Sequence, residues 1–358
     1  MKIVTIIGAR PQFIKAAVVS KQLKLKNIEE ILIHTGQHFD KNMSDIFFEE
    51  MGISQPHYNL HIHGLSHGAM TGQMLEKIEK ILLDEKPDYV MVYGDTNSTL
   101  AGSLAAVKIH IPVIHIEAGL RSYNMQMPEE VNRILTDRIS TILFCPTDTA
   151  IANLQSEGYG NLNARIVNSG DVMEDSATFF NEVAKTRSTI LKQLNLQNRS
   201  YVLATIHRAE NTDQPERLLG IFNALEKINS EIPVVLPLHP RTSNILKQKG
   251  IQTKIQIIEP VGYLDMTMLT SNAALVMTDS GGLQKEAFFF DRYCITLREE
   301  TEWVELVEHG YNFLAGSNTE RIINTFEQIK NKEFIKEHHF YGGGKASENI
   351  ANFLINTL

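Results

Sequence analysis

Cysteine is scarce in this chain, which has only Cys145 and Cys294 among 358 residues. The two lie far apart and form no Cys-x-x-Cys pair, which argues against a disulfide framework and against a thiolate zinc site. Such cysteine usage is typical of a reducing compartment, so we expect a cytoplasmic protein.

Long apolar runs and basic runs are missing as well. No apolar stretch approaches the length of a membrane span, and the first residues show no signal-peptide cleavage pattern, so we expect no membrane insertion. The formal net charge is −8 without a basic cluster, which argues against nucleic acid as a partner. This charge is compatible with an anionic ligand, because such a ligand requires only a local group of donors.

What the chain does contain is a repeated alternation of short apolar strands and helices, which predicts an α/β fold with doubly wound parallel sheets. The length exceeds that of one ordinary core. We predict two Rossmann-like domains, residues 1–169 and 170–345, that face each other across a cleft. A last helix, 346–358, is expected to pack back on the first domain, and a further helix is expected over Asn42–Met51.

Three acidic residues follow buried strands in the first half. Asp95 comes after the apolar run Val90–Tyr93, Glu117 after Val113–Ile116, and Glu129 shortly beyond. Ligands of parallel sheets bind beyond the carboxyl ends of the strands, so we expect the first two acids in one crevice and the third beside them. Several carboxylates in one crevice suit the removal and return of a proton. The competing interpretation is structural: Asp95 caps the next helix and Glu117 fills a turn.

The first predicted strand ends in a glycine turn, Gly8-Ala9-Arg10-Pro11, from which a helix begins. Helix N-termini bind anions through free amides and the helix dipole, and Arg10 and Lys15 add positive charge there. The turn does not match the dinucleotide fingerprint G-x-G-x-x-G, so no nicotinamide cofactor is predicted.

A second turn of this kind, Asp279-Ser280-Gly281-Gly282, opens a helix in the second half. Ser280, Gly281 and Gly282 offer backbone amides to phosphate oxygens. Glu286, one helical turn further, is placed to accept hydrogen bonds from ribose hydroxyls. The pattern favours a nucleoside diphosphate over the alternative, an ordinary helix N-cap followed by a solvated glutamate.

The histidines give one candidate functional residue and one group that fits a metal site poorly. His207 follows a strand exit and is a candidate for binding phosphate or donating a proton. A second group matches no common zinc spacing, so we predict no metal site. That group comprises His34, His38, His61, His63 and His67.

Six motifs occur in order along nearly the whole chain: GARPQFIK, GDTNST, HIEAGLRS, PEEVNR, IHRAEN and DSGGLQKE. Together they resemble the non-hydrolysing UDP-N-acetylglucosamine 2-epimerases. The resemblance implies a glycosyltransferase-B type of fold, a homodimer, and interconversion of UDP-GlcNAc and UDP-ManNAc for capsule or O-antigen synthesis. It implies no metal or redox cofactor, because UDP is both the leaving group and the returning nucleophile.

The resemblance also implies roles for the motif residues. Asp95, Glu117 and Glu129 would transfer protons at C2 of the sugar. His207, counted with them as catalytic, would also lie with Arg10 and Lys15 around the diphosphate. The remaining positions would hold the nucleotide: Ser280, Gly281 and Gly282 the phosphates, Glu286 the ribose, and the loop Glu259–Met266 the uracil.

Two departures from the family pattern bear on the substrate. Trp303-Val304 stands where many members have Arg-Pro, and the loop from His63 to His67 lacks an Arg-Gln pair that binds a second, activating UDP-GlcNAc. Activation is therefore not expected, and UDP-2,3-diacetamido-glucuronate or a UDP-6-deoxy amino sugar are alternative substrates. A UDP-sugar glycosyltransferase and a non-catalytic nucleotide-sugar-binding module are the competing functions.

Overall fold

The computed structural model of the chain describes residues 1–37, 55–238, 246 and 253–357, and at Arg10 and Thr357 the backbone alone. The predicted helix Asn42–Met51 lies outside the described residues. The chain divides into two compact units, Met1–Ser176 with His339–Leu358 and Ala177–His338. The predicted boundaries, at 169/170 and 345/346, both fall within the first unit.

The first unit contains a parallel sheet in the order β3-β2-β1-β4-β5-β6-β7. Its strands are β1 (Lys2–Ile7), β2 (Glu29–His34), β3 (Tyr58–Asn59), β4 (Tyr89–Tyr93), β5 (Val113–Ile116), β6 (Ile142–Cys145) and β7 (Arg165–Asn168). The central strands β5 and β6 are buried along their whole length and are apolar except for His115, because a parallel sheet covered by helices is buried on both faces. The strand order reverses between β1 and β4, so a switch point lies between their carboxyl ends.

The helices of this unit connect the strands. In the described part of the chain they are α1 (Arg10–Leu25), α2 (His67–Glu85), α3 (Asn97–Lys108), α4 (Pro128–Ile139), α5 (Asp148–Ser156) and α14 (Ala346–Thr357), with a 3₁₀ turn at Tyr159–Asn161. The C-terminal helix α14 packs against α1. Its first turn is held by Asp175, whose carboxylate accepts hydrogen bonds from the backbone N–H groups of Ala346 at 3.0 Å and Ser347 at 2.8 Å.

The second unit repeats this arrangement with the strand order β10-β9-β8-β11-β12-β13. Its strands are β8 (Val202–Thr205), β9 (Val234–Pro237), β10 (Gln256–Ile258), β11 (Leu275–Thr278), β12 (Cys294–Thr296) and β13 (Asn312–Leu314). All the described strand pairs are parallel, and the order reverses between β8 and β11. The predicted fold class, two Rossmann-like doubly wound α/β domains, is confirmed.

The helices of the second unit complete the description. Helix α6 (Val172–Arg187) begins in the first unit, and the others are α7 (Ile190–Gln193), α8 (Ala209–Thr212), α9 (Pro215–Asn229), α10 (Tyr263–Asn272), α11 (Gly281–Phe289), α12 (Val304–Glu308) and α13 (Thr319–Ile329). Phe288 is fully buried, as expected for a core residue. Among the described residues, no helix combines the length and the apolar character needed to cross a membrane.

Candidate functional site

Gln12 joins the turn after β1 to the turn after β4. Its side-chain oxygen accepts hydrogen bonds from the amides of Gly8 at 2.8 Å and Ala9 at 3.0 Å. Its side-chain nitrogen donates to the carbonyl oxygen of Tyr93 at 2.8 Å. The N-terminus of α1 is thereby fixed beside the exit of β4, at the switch point of the first sheet. Helix α1 carries Lys15, and of Arg10, which begins it, the side chain lies outside the described residues.

Asp95 lies directly beyond β4 and forms an ion pair with Arg133 of α4. Burial lowers the pKa of Arg133, but Asp95 and Glu130 more than offset this effect, so its pKa is raised and the guanidinium stays charged. The helix that follows Asp95 is capped by Thr96, whose side chain accepts a hydrogen bond from the amide of Thr99 at 3.3 Å. Asp95 is therefore not the residue that caps this helix.

Glu117 lies beyond the neighbouring strand β5 and forms an ion pair with Lys15. Their side chains are only 11% and 9% exposed, so solvent screens this pair weakly. Glu117 has φ +70°, a left-handed conformation that is unusual for a residue with a side chain. Gly94 approaches closely: a Cβ added there would lie 3.0 Å from Glu117 Oε2. The carboxylate thus faces the exit of β4 and does not merely fill a turn.

The two neighbouring glutamates at the start of α4 have different surroundings. Glu130 is fully buried and accepts hydrogen bonds from the amides of Ser122 at 2.9 Å and Tyr123 at 2.9 Å, and from Arg133 at 2.9 Å. Glu129 is exposed in the first turn of the helix. Glu130 therefore shapes the loop, whereas Glu129 is open to a ligand.

In the second unit, Asp279 ties the exit of β8 to the exit of β11. Its buried carboxylate accepts hydrogen bonds from the amides of His207 at 3.1 Å and Arg208 at 3.1 Å, and from Asn211 Nδ2 at 3.0 Å. His207 Nδ1 lies 3.2 Å from the same carboxylate, and the His207 side chain is 57% exposed. His207 is therefore held at the switch point of the second sheet and stays open to solvent.

Helix α11 begins immediately beyond Asp279. Its N-cap is Ser280, whose side chain makes no capping hydrogen bond, and Gly281 and Gly282 form its first turn. First-turn amides have no partner within a helix, so they are available to an anion. Glu286, one turn further, is 8% exposed, which excludes the alternative of a solvated surface glutamate.

Trp303 packs on this helix start. Its indole N–H donates to the carbonyl oxygen of Gly281 at 2.8 Å, and Lys285 Nζ lies 4.0 Å from the centre of the indole ring. The adjacent Glu302 accepts two hydrogen bonds from Arg298, at 2.9 and 3.1 Å. Burial raises the pKa of Glu302, but Arg298 lowers it further, so the net shift is downward. Trp303 itself carries no charge, but Lys285 places a cation against its ring.

No group of His, Cys, Asp or Glu in the described part of the chain has an arrangement that could hold a metal ion. His38 lies outside the described residues. His67 Nδ1 lies 3.1 Å from Asn97 Nδ2.

Sequence reasoning missed Gln12 and Arg133. The contact of Gln12 with Tyr93 and that of Arg133 with Asp95 each join residues distant in sequence, and residue spacing alone does not predict such contacts. A signal existed for Arg133, because it lies one turn beyond Glu129 and Glu130 on the same predicted helix, where a cation can reach the acids.

Comparisons with known proteins show the family of the chain. A family model described as UDP-N-acetylglucosamine 2-epimerase matches residues 21–355. The UDP-2,3-diacetamido-2,3-dideoxy-D-glucuronate 2-epimerase of Pseudomonas aeruginosa is 56% identical, with 99% of each chain covered.

Two solved structures are similar throughout. The UDP-GlcNAc 2-epimerase of Methanocaldococcus jannaschii in complex with UDP-GlcNAc and UDP gives a TM-score of 0.86 at 44% identity, covering 99% of both chains. That of Neisseria meningitidis bound to UDP-GlcNAc gives 0.86 at 33% identity, covering 100% of both. The resemblance seen in the motifs and the fold type that it implied are confirmed: the chain belongs to the UDP-N-acetylglucosamine 2-epimerase family.

Proposed function

We propose that this protein inverts the configuration at C2 of a UDP-linked 2-acetamido sugar. A base removes the C2 proton while the C1–O bond breaks, and UDP leaves with the electron pair of that bond. The product of this step is a glycal with a C1–C2 double bond. A proton then returns to the opposite face of C2, and a phosphate oxygen of UDP bonds to C1 again. The reaction consumes no other reactant.

The observation that carries this proposal is the pairing of Asp95 and Glu117 at the exits of adjacent strands. Their strands are in register, with Tyr93 opposite Ile116. Each acid has its own cation, Arg133 or Lys15, so both side chains are held in defined positions. Two oriented carboxylates at one sheet edge suit proton transfer at two faces of one carbon.

Glu129 is the third acid of the proposal. It is exposed on α4, the helix that also carries Arg133. We assign Asp95, Glu117 and Glu129 to proton transfer, without a choice of face for each.

The second unit supplies what a leaving nucleotide requires. We assign Ser280 and the amides of Gly281 and Gly282 at the start of α11 to the phosphates, and Glu286 to the ribose hydroxyls. The Ser280 amide itself donates to Thr278 Oγ1 at 2.9 Å, so its contribution is the side-chain hydroxyl. His207 lies against Asp279, the residue that directly precedes Ser280. From there it can donate to the diphosphate as negative charge develops on that group. Arg10 and Lys15 are assigned to the same diphosphate, and the loop Glu259–Met266 to the uracil.

UDP-GlcNAc, with UDP-ManNAc as its epimer, is the first substrate that we propose. A second is favoured by a specific observation: the relative that is 56% identical over 99% of both chains is named for UDP-2,3-diacetamido-2,3-dideoxy-D-glucuronate. A UDP-6-deoxy amino sugar is the third sugar to be compared.

The decisive experiment is incubation with each of these sugars in heavy water. Epimerisation through the glycal must place deuterium at C2 of the product, which mass spectrometry and proton NMR detect. The sugar with the highest kcat/KM identifies the substrate. Absence of exchange at C2 with all three sugars, from a protein that binds UDP, would reject the epimerase. Transfer of the sugar to an added acceptor, with no C2 exchange, would instead indicate a glycosyltransferase.

Family membership also supports three smaller parts of the proposal. We assign the protein to the cytoplasm, to the synthesis of capsule or O-antigen polysaccharide, and to a homodimer. Light scattering on a size-exclusion column tests the dimer, for which the expected mass is twice the 40.4 kDa of one chain. A mass of one chain at micromolar concentration would contradict it.

A further inference from the structure

A buried group of charged side chains adjoins the turns that carry the two paired acids, and the proposed proton transfer does not use it. Its members are His115 in β5, Asp137 in α4, and Arg121 in the loop between these elements. The side chains of His115 and Asp137 are fully buried, and that of Arg121 is 1% exposed. Charged groups are retained at such depth only when they are paired and hydrogen-bonded.

The hydrogen bonds of this group reach the backbone of both turns. His115 Nε2 lies 2.7 Å from the carbonyl oxygen of Gly94, and Nδ1 lies 2.7 Å from Asp137 Oδ1. The other oxygen of Asp137 accepts hydrogen bonds from the amide of Gly119 at 3.1 Å and from Arg121 at 2.7 Å. One imidazole and one carboxylate thus connect the exit of β4 to the exit of β5.

The partners of His115 determine its protonation. The carbonyl oxygen of Gly94 can only accept a hydrogen bond, so Nε2 must carry a proton. Arg121 donates to one oxygen of Asp137, and the other oxygen, 2.7 Å from Nδ1, takes the part of the acceptor, so Nδ1 donates as well. Burial lowers the pKa of Arg121, but Glu157 and Asp137 raise it further, so its charge is secure. A ring that donates from both nitrogens is an imidazolium.

The turns after β4 and β5 have to be stabilised by contacts with residues outside them. Gly94, Glu117 and Gly119 all have left-handed backbone conformations, with φ +60°, +70° and +79°. This conformation is disfavoured for Glu117 and has to be maintained by its surroundings. His115 holds the carbonyl that precedes the first acid, and Asp137 holds the amide that follows the second. An aliphatic side chain would fill the same volume without holding either turn.

We propose that His115, as an imidazolium paired with Asp137, is a positioning residue that fixes Asp95 and Glu117 for proton transfer. The inference rests on the proposed function, since it takes these two acids as the proton-transfer groups. Arg121 completes the unit by holding Asp137 in its charged form.

The first test reads the imidazole directly. Wild-type protein labelled with ¹⁵N-histidine is studied at pH 8, where an exposed imidazole is neutral. The expected result is one histidine with protons on both ring nitrogens, absent from the His115→Gln variant. A His115 ring with a single proton would overturn the proposal, and this measurement does not depend on enzymatic activity.

The second test uses His115→Gln and Asp137→Asn, with His110→Gln on the exposed His110 as the matched control. We expect kcat per UDP-binding site to fall about 10- to 100-fold in both variants, because sub-ångström displacement of acid/base groups is costly. The KM and the affinity for UDP should change less than about threefold, since most of the contacts to UDP are assigned to the second unit. A kcat within twofold of wild type in either folded variant would overturn the proposal.

If wild type itself turned over none of the three sugars, the proposed function would fail first, and the ring spectrum would still decide the charge of His115.

Discussion

The buried carboxylate of Asp279 accepts a hydrogen bond from the amide of His207 at 3.1 Å and lies 3.2 Å from its Nδ1, although the two residues follow different strands. The same carboxylate holds Arg208 and Asn211. The Asp279 side chain therefore sets the position of the His207 imidazole relative to the start of α11, where we propose that the diphosphate binds.

Replacement of Asp279 by asparagine should destabilise the protein. The asparagine side chain keeps one acceptor oxygen. Its NH₂ group, however, then faces N–H donors of His207, Arg208 and Asn211 at a fully buried position. Loss of hydrogen bonds to a buried charge costs about 1.5–3 kcal/mol each, so we expect a decrease of roughly 2 kcal/mol in the free energy of unfolding. Urea unfolding at pH 7 measures this, and an unchanged midpoint would contradict the assigned contacts.

The same pair predicts a pH dependence. Burial raises the pKa of Asp279, but hydrogen bonds from His207, Asn211 and Arg208 lower it further, below its ordinary value of 3.8. A carboxylate with a lowered pKa stabilises the fold above its unfolded pKa, and this contribution is lost as the pH falls below about 4. Between pH 5 and pH 3, wild type should lose more stability than Asp279→Asn. Equal losses in urea unfolding at each pH would refute the shift.

His207→Ala should weaken UDP binding. Removal of a donor to a charged phosphate is worth about 1.5–3 kcal/mol, which corresponds to roughly a 10- to 100-fold increase in Kd. Isothermal titration with UDP measures the change, and His110→Ala, on an exposed histidine of the first unit, is the control. Unchanged affinity in His207→Ala would remove His207 from the diphosphate site.

The positions of the acids were predictable because strand ends are visible in the sequence. Asp95 and Glu117 each follow a short β-branched run, and parallel strands bring their carboxyl ends to one edge. The same logic located Ser280 and His207 at the exits of β11 and β8. Two different types of information were thus sufficient: apolar runs for the strands, and the residue type directly after each run.

The contacts that orient these side chains were not predictable. Lys15 pairs with Glu117 across 102 residues, and Gln12 reaches Tyr93 across 81, because the strand order places β1 beside β4. Strand order does not follow from periodicity. The left-handed conformation of Glu117 is hidden for the same reason, since tertiary contacts maintain it against local preference.

Gly94→Ala should impair both folding and turnover. Gly94 has φ +60°, and its new Cβ would lie 3.0 Å from Glu117 Oε2. The left-handed conformation costs an alanine about 1–2 kcal/mol, and the glutamate must move, so we expect kcat to fall at least about tenfold. Gly72→Ala is the matched control, because Gly72 is exposed within α2 with open space around it. That control should gain up to about 1 kcal/mol in unfolding free energy. Equal effects of the two substitutions would contradict the close approach.

Asp95→Asn separates catalysis from binding most directly. Asparagine is nearly isosteric and can still contact Arg133, but it cannot take a proton at C2. General acid–base catalysis contributes about 10²- to 10⁴-fold, so kcat should fall by a factor on the order of a hundred or more. UDP affinity should be retained, because Asp95 is not among the residues assigned to the nucleotide, most of which lie in the second unit. Deuterium exchange at C2 and UDP titration give the two quantities, and Asp84→Asn, on an exposed acid of α2, controls for the loss of one negative charge.

If Asp95→Asn lost UDP binding together with turnover, Asp95 would be a structural residue of the first unit. If it kept wild-type exchange, the base would have to be sought among Glu117 and Glu129.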